Sequence, residues 1–314
     1  MSDLPPLPAD AWPPLPPLAD WLDTVETLHR WTQIVGKVRL ARTPLENHWW
    51  NVPLYVTARG LTTSAVPDGG RHFHIDFDFV DHRLVVGTSD GATESFALGA
   101  LSVAAFYHAL TEALEALGVQ LRIWPVPVEI PGSVASFPDD HAHAAYDADA
   151  VGRFWRALLQ AHRVLTKFRA RFLGKVSPVH FFWGGFDLAV TRFSGRAAPQ
   201  HPGGIPNVGD WVMHEAYSHE VSSAGFWPGV GLGEAAFYAY AYPEPEGFRD
   251  APVEPAAAYF HADLGEFVLP YEAVRTAPDP DAALLAFLQT TYDAGADLAA
   301  WDRPALERSA PAPA

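Results

Sequence analysis

The chain has 314 residues, of which 49 % are apolar and 18 % charged; this is the composition of a folded globular protein and excludes a disordered or fibrous one. The formal net charge of −16 argues against nucleic acid or an anionic membrane as general partner. Cysteine is absent, which excludes disulfides and thiolate sites, so any metal would need His, Asp, Glu or water as ligands.

The opening MSDLPPLPADAWPPLPPL lacks the basic region and apolar centre of a signal peptide, and no run reaches the roughly 20 apolar residues of a membrane span. A cytoplasmic location is expected. Residues 1–17 read as a Pro-rich arm in extended polyproline conformation, lying on its own domain or offered to a partner. Leu18, Trp21, Leu22, Val25, Leu28 and Thr32 fall at helical spacing and predict a helix over 18–33. Strand-like runs follow at Lys37–Ala41, Leu54–Arg59, His72–Phe79, Arg83–Thr88 and Glu94–Leu98, separated by turn signals such as Pro67-Asp68-Gly69-Gly70. A helix over Ser102–Leu117, stopped by Gly118, closes a first α+β half at 18–130.

After a connection at 131–148 the order repeats. A helix over 149–172 buries Val151, Phe154, Trp155, Leu158, Leu165 and Phe172, and strand-like segments and a last helix at 280–297 follow. His180-Phe181-Phe182 echoes His48-Trp49-Trp50, and Phe237–Tyr242 sits where His72–Phe79 sat. The fold class expected is α+β: two similar helix–antiparallel sheet–helix halves, a pseudo-duplication, with the second half at 149–302 and a disordered tail at 303–314. The second half carries a long insertion between Arg196 and Glu234, and long loops in compact domains are often functional.

Candidate chemistry concentrates between His180 and Trp227. Asp187 and Arg192 are charges inside an apolar run, where charges are seldom buried without partners. A general acid/base at His180 or His219, oriented by Asp187 or Glu220, is the catalytic set expected. Arg192 and Arg196 would hold an anionic group, Trp183 and Trp227 would pack a ring or chain, and Ser222 and Ser223 would add hydrogen bonds. On the first half His72, His74, Asp76 and Asp78 share one strand face, and Tyr238, Tyr240 and Tyr242 share the face of its counterpart. Asp76 and Asp78 would thus join tyrosines around one cavity.

His214-Glu215 and His219-Glu220 miss the i, i+4 histidines of a zincin helix, so the candidate metal ligands are His180, His219 and Glu220. His141 and His143 form a weaker candidate. There is no GxSxG elbow and no phosphate-binding loop, and Gly229–Gly233 is a poor dinucleotide loop. Arg163, Lys167 and Arg171 form a basic helical stripe, read as a solvated face.

Several longer phrases resemble one uncharacterised bacterial family, domain of unknown function 5996. They are WTQIVGKVRLA from Trp31, NHWWNVPLYVTARGLTTS from Asn47, IDFDFVDHRL from Ile75, HFFWGGFDLAVTRFSGR from His180, AYSHEVSSAGFWPG from Ala216, YAYPEPEGF from Tyr240 and LPYEAVR from Leu269. The resemblance spans nearly the whole chain and implies a family without implying an activity. The functional expectation therefore rests on residue types: a small-molecule enzyme of hydrolase or lyase type with a His/carboxylate/Arg pocket, metal-assisted or metal-free. The alternatives are a non-catalytic small-molecule binder, or an interaction protein using the Pro-rich arm.

Overall fold

The computed structural model describes residue 8 and residues 10–120, 122–132 and 134–308. The first half opens on α1 (Leu18–Arg42), which continues through Lys37–Ala41, where a strand was expected. From Thr24 to Arg39 nearly every residue is buried, polar ones included. A helix enclosed on all sides has no amphipathic stripe, so its period is invisible in the sequence. Only Thr43, extended and with its N–H on Arg39 O, ends it.

An antiparallel meander follows: β1 (Tyr55–Val56), β2 (Gly60–Thr62), β3 (Val66–Asp68), β4 (Arg71–Asp78), β5 (Arg83–Thr88) and β6 (Thr93–Ala97). The order is β1-β2-β4-β5-β6, and β3 also pairs with β4. Phe73, Ile75 and Phe77 of β4 are buried towards α2 (Val103–Ala116), where Phe106 stacks between Phe77 and Trp31. Ser102 caps α2 by accepting from Ala105 N–H.

The second half repeats the order helix, meander, helix. The helix α3 (Ala148–Arg169) is capped by Asp147. The strands are β7 (His180–Phe182), β8 (Asp187–Ala197), β9 (His219–Trp227), β10 (Ala236–Tyr242), β11 (Tyr259–His261) and β12 (Glu266–Pro270). They run β11-β12-β10-β9-β8-β7. The short α5 (Tyr271–Arg275) leads to α6 (Pro280–Leu298), capped by Asp279. Helices α3 and α6 cover one face of this sheet. The insertion expected at 196–234 contains β9, a central strand; what remains between β8 and β9 is a loop with one short helix, α4 (Asp210–Ala216).

The sheets join edge to edge: Leu54 N–H donates to Phe181 O at 2.9 Å and Phe181 N–H to Leu54 O at 2.8 Å. One contiguous set of buried side chains runs through both halves. The described part of the Pro-rich arm lies on its own chain: Trp12 is buried against Phe237 and Tyr271, and Tyr271 Oη donates to Pro13 O at 2.7 Å. Residues 1–7 and 9 of the arm lie outside the described residues, as do 309–314 of the tail. The expectation of a disordered tail is corrected at its start: Arg303–Leu306 form α7, and Arg303 pairs with Asp293, Asp297 and Glu307. Arg163 and Lys167 of the basic stripe pair with Asp281 of α6. Among the described residues no helix is long and apolar enough to cross a membrane.

Candidate functional site

The period of two along each strand sorts the second sheet into two faces. Leu188, Val190, Ala224, Phe226, Phe237 and Ala239 are buried in the core beneath the helices. The opposite face carries Asp187 and Thr191 of β8, Ser223 and Gly225 of β9, Tyr238, Tyr240 and Tyr242 of β10, and Glu266 of β12. Polar residue types recur on that face because it is not packed against a helix layer. Tyr217, at the C-terminal end of α4, lies over it.

Tyr238 Oη donates to Asp187 Oδ2. Tyr217 Oη and Tyr240 Oη are 2.8 Å apart, Ser223 is the cross-strand partner of Tyr240, and Ser223 Oγ meets Thr191 Oγ1 at 2.9 Å. A row of hydroxyls thus crosses three strands. Tyr238 is 8 % exposed, and its phenol lies over Gly225: a Cβ built there would sit 2.4 Å from Tyr238 Oη.

A second carboxylate reaches the site from the connection between the halves. Glu129 adopts a left-handed backbone, φ 61°, uncommon for a residue with a side chain and informative when the surroundings enforce it. Here they do. Its N–H donates to Pro206 O at 2.8 Å, Val128 N–H donates to Gln33 Oε1 at 2.8 Å, and Asn207 Nδ2 donates to Pro127 O at 3.2 Å. The segment is thereby tied to α1 and to the β8–β9 loop. Its carboxylate lies against the turn between β7 and β8: a Cβ at Gly184 would fall 1.9 Å from Glu129 Oε1. The Cβ that Gly185 lacks would be 2.8 Å from Asp187 Oδ1 and 3.8 Å from Glu129 Oε2, so both carboxylates converge on one point. Paired glycines make that approach sterically open.

Burial raises Asp187 to about 6, against the pull of the Tyr238 hydrogen bond. Burial, then the charge of Asp187, raises Glu129 to about 7, with Lys37 opposing. Glu129 is an exposed residue, and solvent screening tempers that shift. Burial and Asp187 likewise raise Glu266 to about 7. Tyr238 is pushed well above the usual phenol value by burial and by Asp187. Near neutral pH such a set is partly protonated, because the charge of one carboxylate disfavours ionisation of the next. His29, lowered to about 4 by burial, is neutral and bonds Gly184 O at 2.8 Å.

Of the residues expected from sequence, Asp187, Ser223, Trp183 and Trp227 lie at or beside this cluster. Trp183 Nε1 donates to Val52 O at 2.8 Å, and Trp227 packs against Tyr238 at 5.6 Å. The rest are placed elsewhere. Asp187 pairs with a tyrosine, with no arginine. Arg192 is on the helix side, its guanidinium 3.4 Å from the Phe168 ring and donating to Phe168 O, and burial lowers it to about 10. Arg196 pairs with Glu220 at 2.6 Å and donates to Ala299 O, while Ser222 alternates with Ser223 and so faces away from it. His180 is wholly buried among Trp50, Tyr55 and Phe182, and neither ring nitrogen is hydrogen-bonded among the described residues. His219 stands 5.6 Å from the His48 ring. Asp78 pairs with Arg59 and Asp76 lies near His74, both on the outer face of the first sheet, away from the tyrosines.

His180, His219 and Glu220 do not assemble into a metal site, and no group of three His, Asp or Glu suited to a metal occurs among the described residues. Glu220 and His219 are adjacent in a strand, so they point to opposite faces. His143 pairs with Asp140 at 2.8 Å and Glu26 at 3.4 Å. A surface hollow of about 430 Å³ at the end of α2 is lined by Glu115, Gly118, Val119, Gln120 and Arg122, and one of about 190 Å³ lies beside Glu220 and Tyr242. Neither is lined by two carboxylates, so chemistry favours the Glu129–Asp187 cluster over both.

The profile of a family of unknown function, DUF5996, matches residues 12–308. The chain belongs to the DUF5996 family. No curated protein and no solved structure matches it. The matched span of this DUF5996 protein includes both halves and every residue of the acid–tyrosine cluster. Glu129, Glu266 and Tyr217 escaped sequence reasoning. The tyrosine alternation on β10 was a usable signal, but nothing periodic surrounds Glu129.

Proposed function

We propose that this DUF5996 protein is an enzyme that performs acid–base chemistry on a small molecule at Glu129 and Asp187. The observation that carries the reading is the convergence of those two carboxylates over Gly185. The charge of Asp187 disfavours ionisation of Glu129, so near neutral pH one of the two can donate while the other accepts. Glu129, open to solvent, serves as the acid, and Asp187, held by Tyr238, serves as the base. The hydroxyls of Tyr217, Tyr240 and Ser223 offer hydrogen bonds to a polar ligand.

The test compares the protein with Asp187→Asn and Glu129→Gln after incubation with a small-molecule cell extract, read by mass spectrometry. At least one compound should be consumed by the parent and spared by both variants, with rates lower by about 10²–10⁴-fold. Consumption at equal rates by all three would sink the reading. A third variant, Gly184→Ala, displaces the Glu129 carboxylate and should lose activity while its melting temperature stays nearly unchanged. The same proposal includes a tandem duplication as the origin of the fold. It is supported by the repeated order helix, meander, helix and by the junction of the two sheets at β1 and β7. It fails if fewer than three strands of the halves superpose in order and direction.

A further inference from the structure

The chain has three lysines. Lys167 pairs with Asp281 at 2.8 Å, and Lys175 Nζ meets His48 Nε2 at 2.6 Å. Lys37 differs from both. It lies in the middle of α1, is 5 % exposed, and has neither an ion pair nor a hydrogen bond among the described residues. Buried lysines without partners are rare, because the ammonium loses its hydration for nothing in return. Its Nζ stands 4.9 Å from the ring centre of Trp124 and 5.8 Å from that of Trp183. Trp183 adjoins Gly184, against which Glu129 lies, and the Glu129 charge acts on the amine. Trp124, whose ring the amine faces, is itself 56 % exposed. The position is also built: Gly36, the neighbour of Lys37, is what lets Trp183 lie on the helix, since a Cβ there would fall 2.1 Å from the indole.

We propose that Lys37 is the attachment point for a carbonyl substrate, its amine forming an imine with an uncharged aldehyde or ketone whose apolar body packs against Trp124 and Trp183. The proposal rests on the acid–base reading of Glu129 and Asp187 and names the substrate class for it. The amine nitrogen attacks the carbonyl carbon, a C–N bond forms, and the C–O bond then breaks. Both hydrogens of the amine end on the departing oxygen, which leaves as water, and Glu129 carries them across one at a time. No oxidant or reductant is consumed. A neutral amine is required. Burial lowers Lys37 to about 8, although Glu129 opposes the shift and the indole faces also favour the ammonium form. Three carboxylates at the site disfavour an anionic substrate, which selects an uncharged carbonyl.

The experiment treats the whole protein with benzaldehyde, cyclohexanone or pyruvate plus sodium cyanoborohydride, and maps the reduced adducts by peptide mass spectrometry. With the uncharged probes Lys37 should be labelled about ten-fold or more faster than Lys167 and Lys175 near neutral pH, since a depressed pKa enriches the free amine. Its rate should rise with pH to a midpoint near 8. The preference should vanish in denaturant, Lys37→Met should lose that adduct alone, and Glu129→Gln should slow it. Labelling of Lys37 no faster than the other two lysines overturns the proposal. An adduct with pyruvate and none with the uncharged probes overturns the substrate class. If Lys37 fails to label while Asp187→Asn still abolishes turnover, the imine falls and the acid–base reading stands. Selective labelling with turnover indifferent to Asp187 leaves Lys37 as a carbonyl-reactive site and removes the acid–base reading.

Discussion

Replacing His180 by Phe should leave stability near pH 7.5 almost unchanged and raise it near pH 4.5 by about 2–3 kcal/mol relative to the parent protein. His180 is 0 % exposed, and neither ring nitrogen has a hydrogen-bond partner among the described residues. Its neighbours are the rings of Trp50, Tyr55 and Phe182, at 6.1, 5.5 and 5.4 Å. Burial, with Arg39 and Arg169 adding to it, lowers its pKa from 6.5 to about 3. In the unfolded chain the imidazole gains its proton near the ordinary value; in the folded chain it does so only near the lowered one. Between those two pH values the unfolded state binds more protons, so the native state loses about 1.4 kcal/mol per pH unit on acidification. A phenyl ring of similar size does not titrate, so that loss disappears. Near neutrality nothing is forfeited, because no hydrogen bond is broken, and removing two unsatisfied nitrogens offsets the slight change of shape. Urea unfolding of both proteins at the two pH values reads the difference; parallel loss of stability in parent and variant would show that another group is responsible. His29, lowered to about 4, acts in the same direction and remains in both proteins.

Gly225→Ala should cost about 2–3 kcal/mol and abolish the geometry at Asp187. A Cβ at Gly225 would lie 2.3 Å from the carbonyl oxygen of Leu188 and 2.4 Å from Tyr238 Oη. The first contact is with backbone in the centre of the sheet, where β8 and β9 are hydrogen-bonded and cannot part cheaply. The second displaces the phenol from Asp187. Restricting the unfolded chain recovers only about 0.4–1 kcal/mol, which leaves a net loss. Gly70→Ala is the control, since a Cβ there meets nothing within 4 Å. Thermal unfolding should separate the two variants clearly. Equal melting temperatures would mean that the sheet opens at Gly225 more readily than its packing suggests.

Several elements were legible because one of their faces is buried and the other wet. The alternation of Phe73, Ile75 and Phe77 with His74, Asp76 and Asp78 marked β4, and Asp147 and Asp279 marked the starts of α3 and α6 as their caps. The far half of α1 was illegible for the opposite reason: it is enclosed on every side, so polar Gln33, Lys37 and Arg39 interrupt what would otherwise read as a helical stripe. The site shows the same division. Asp187, Trp183, Ser223 and the tyrosine row were visible as polar or aromatic groups on strands. That Asp187 and Arg192 face opposite ways follows from their odd separation along one strand.

By itself the sequence determined the α+β class, the two-part order of elements, the absence of thiol chemistry and the identity of the tyrosine-bearing face. Those properties depend on composition and on periods of two and 3.6 residues, which are local. The tertiary structure alone decided which charges meet. Glu129 comes from an aperiodic connection, Asp187 from a hairpin and Tyr238 from a strand two places along the sheet. Their meeting depends on strand register and on chain crossings between residues far apart in sequence, and no spacing along the chain encodes such contacts.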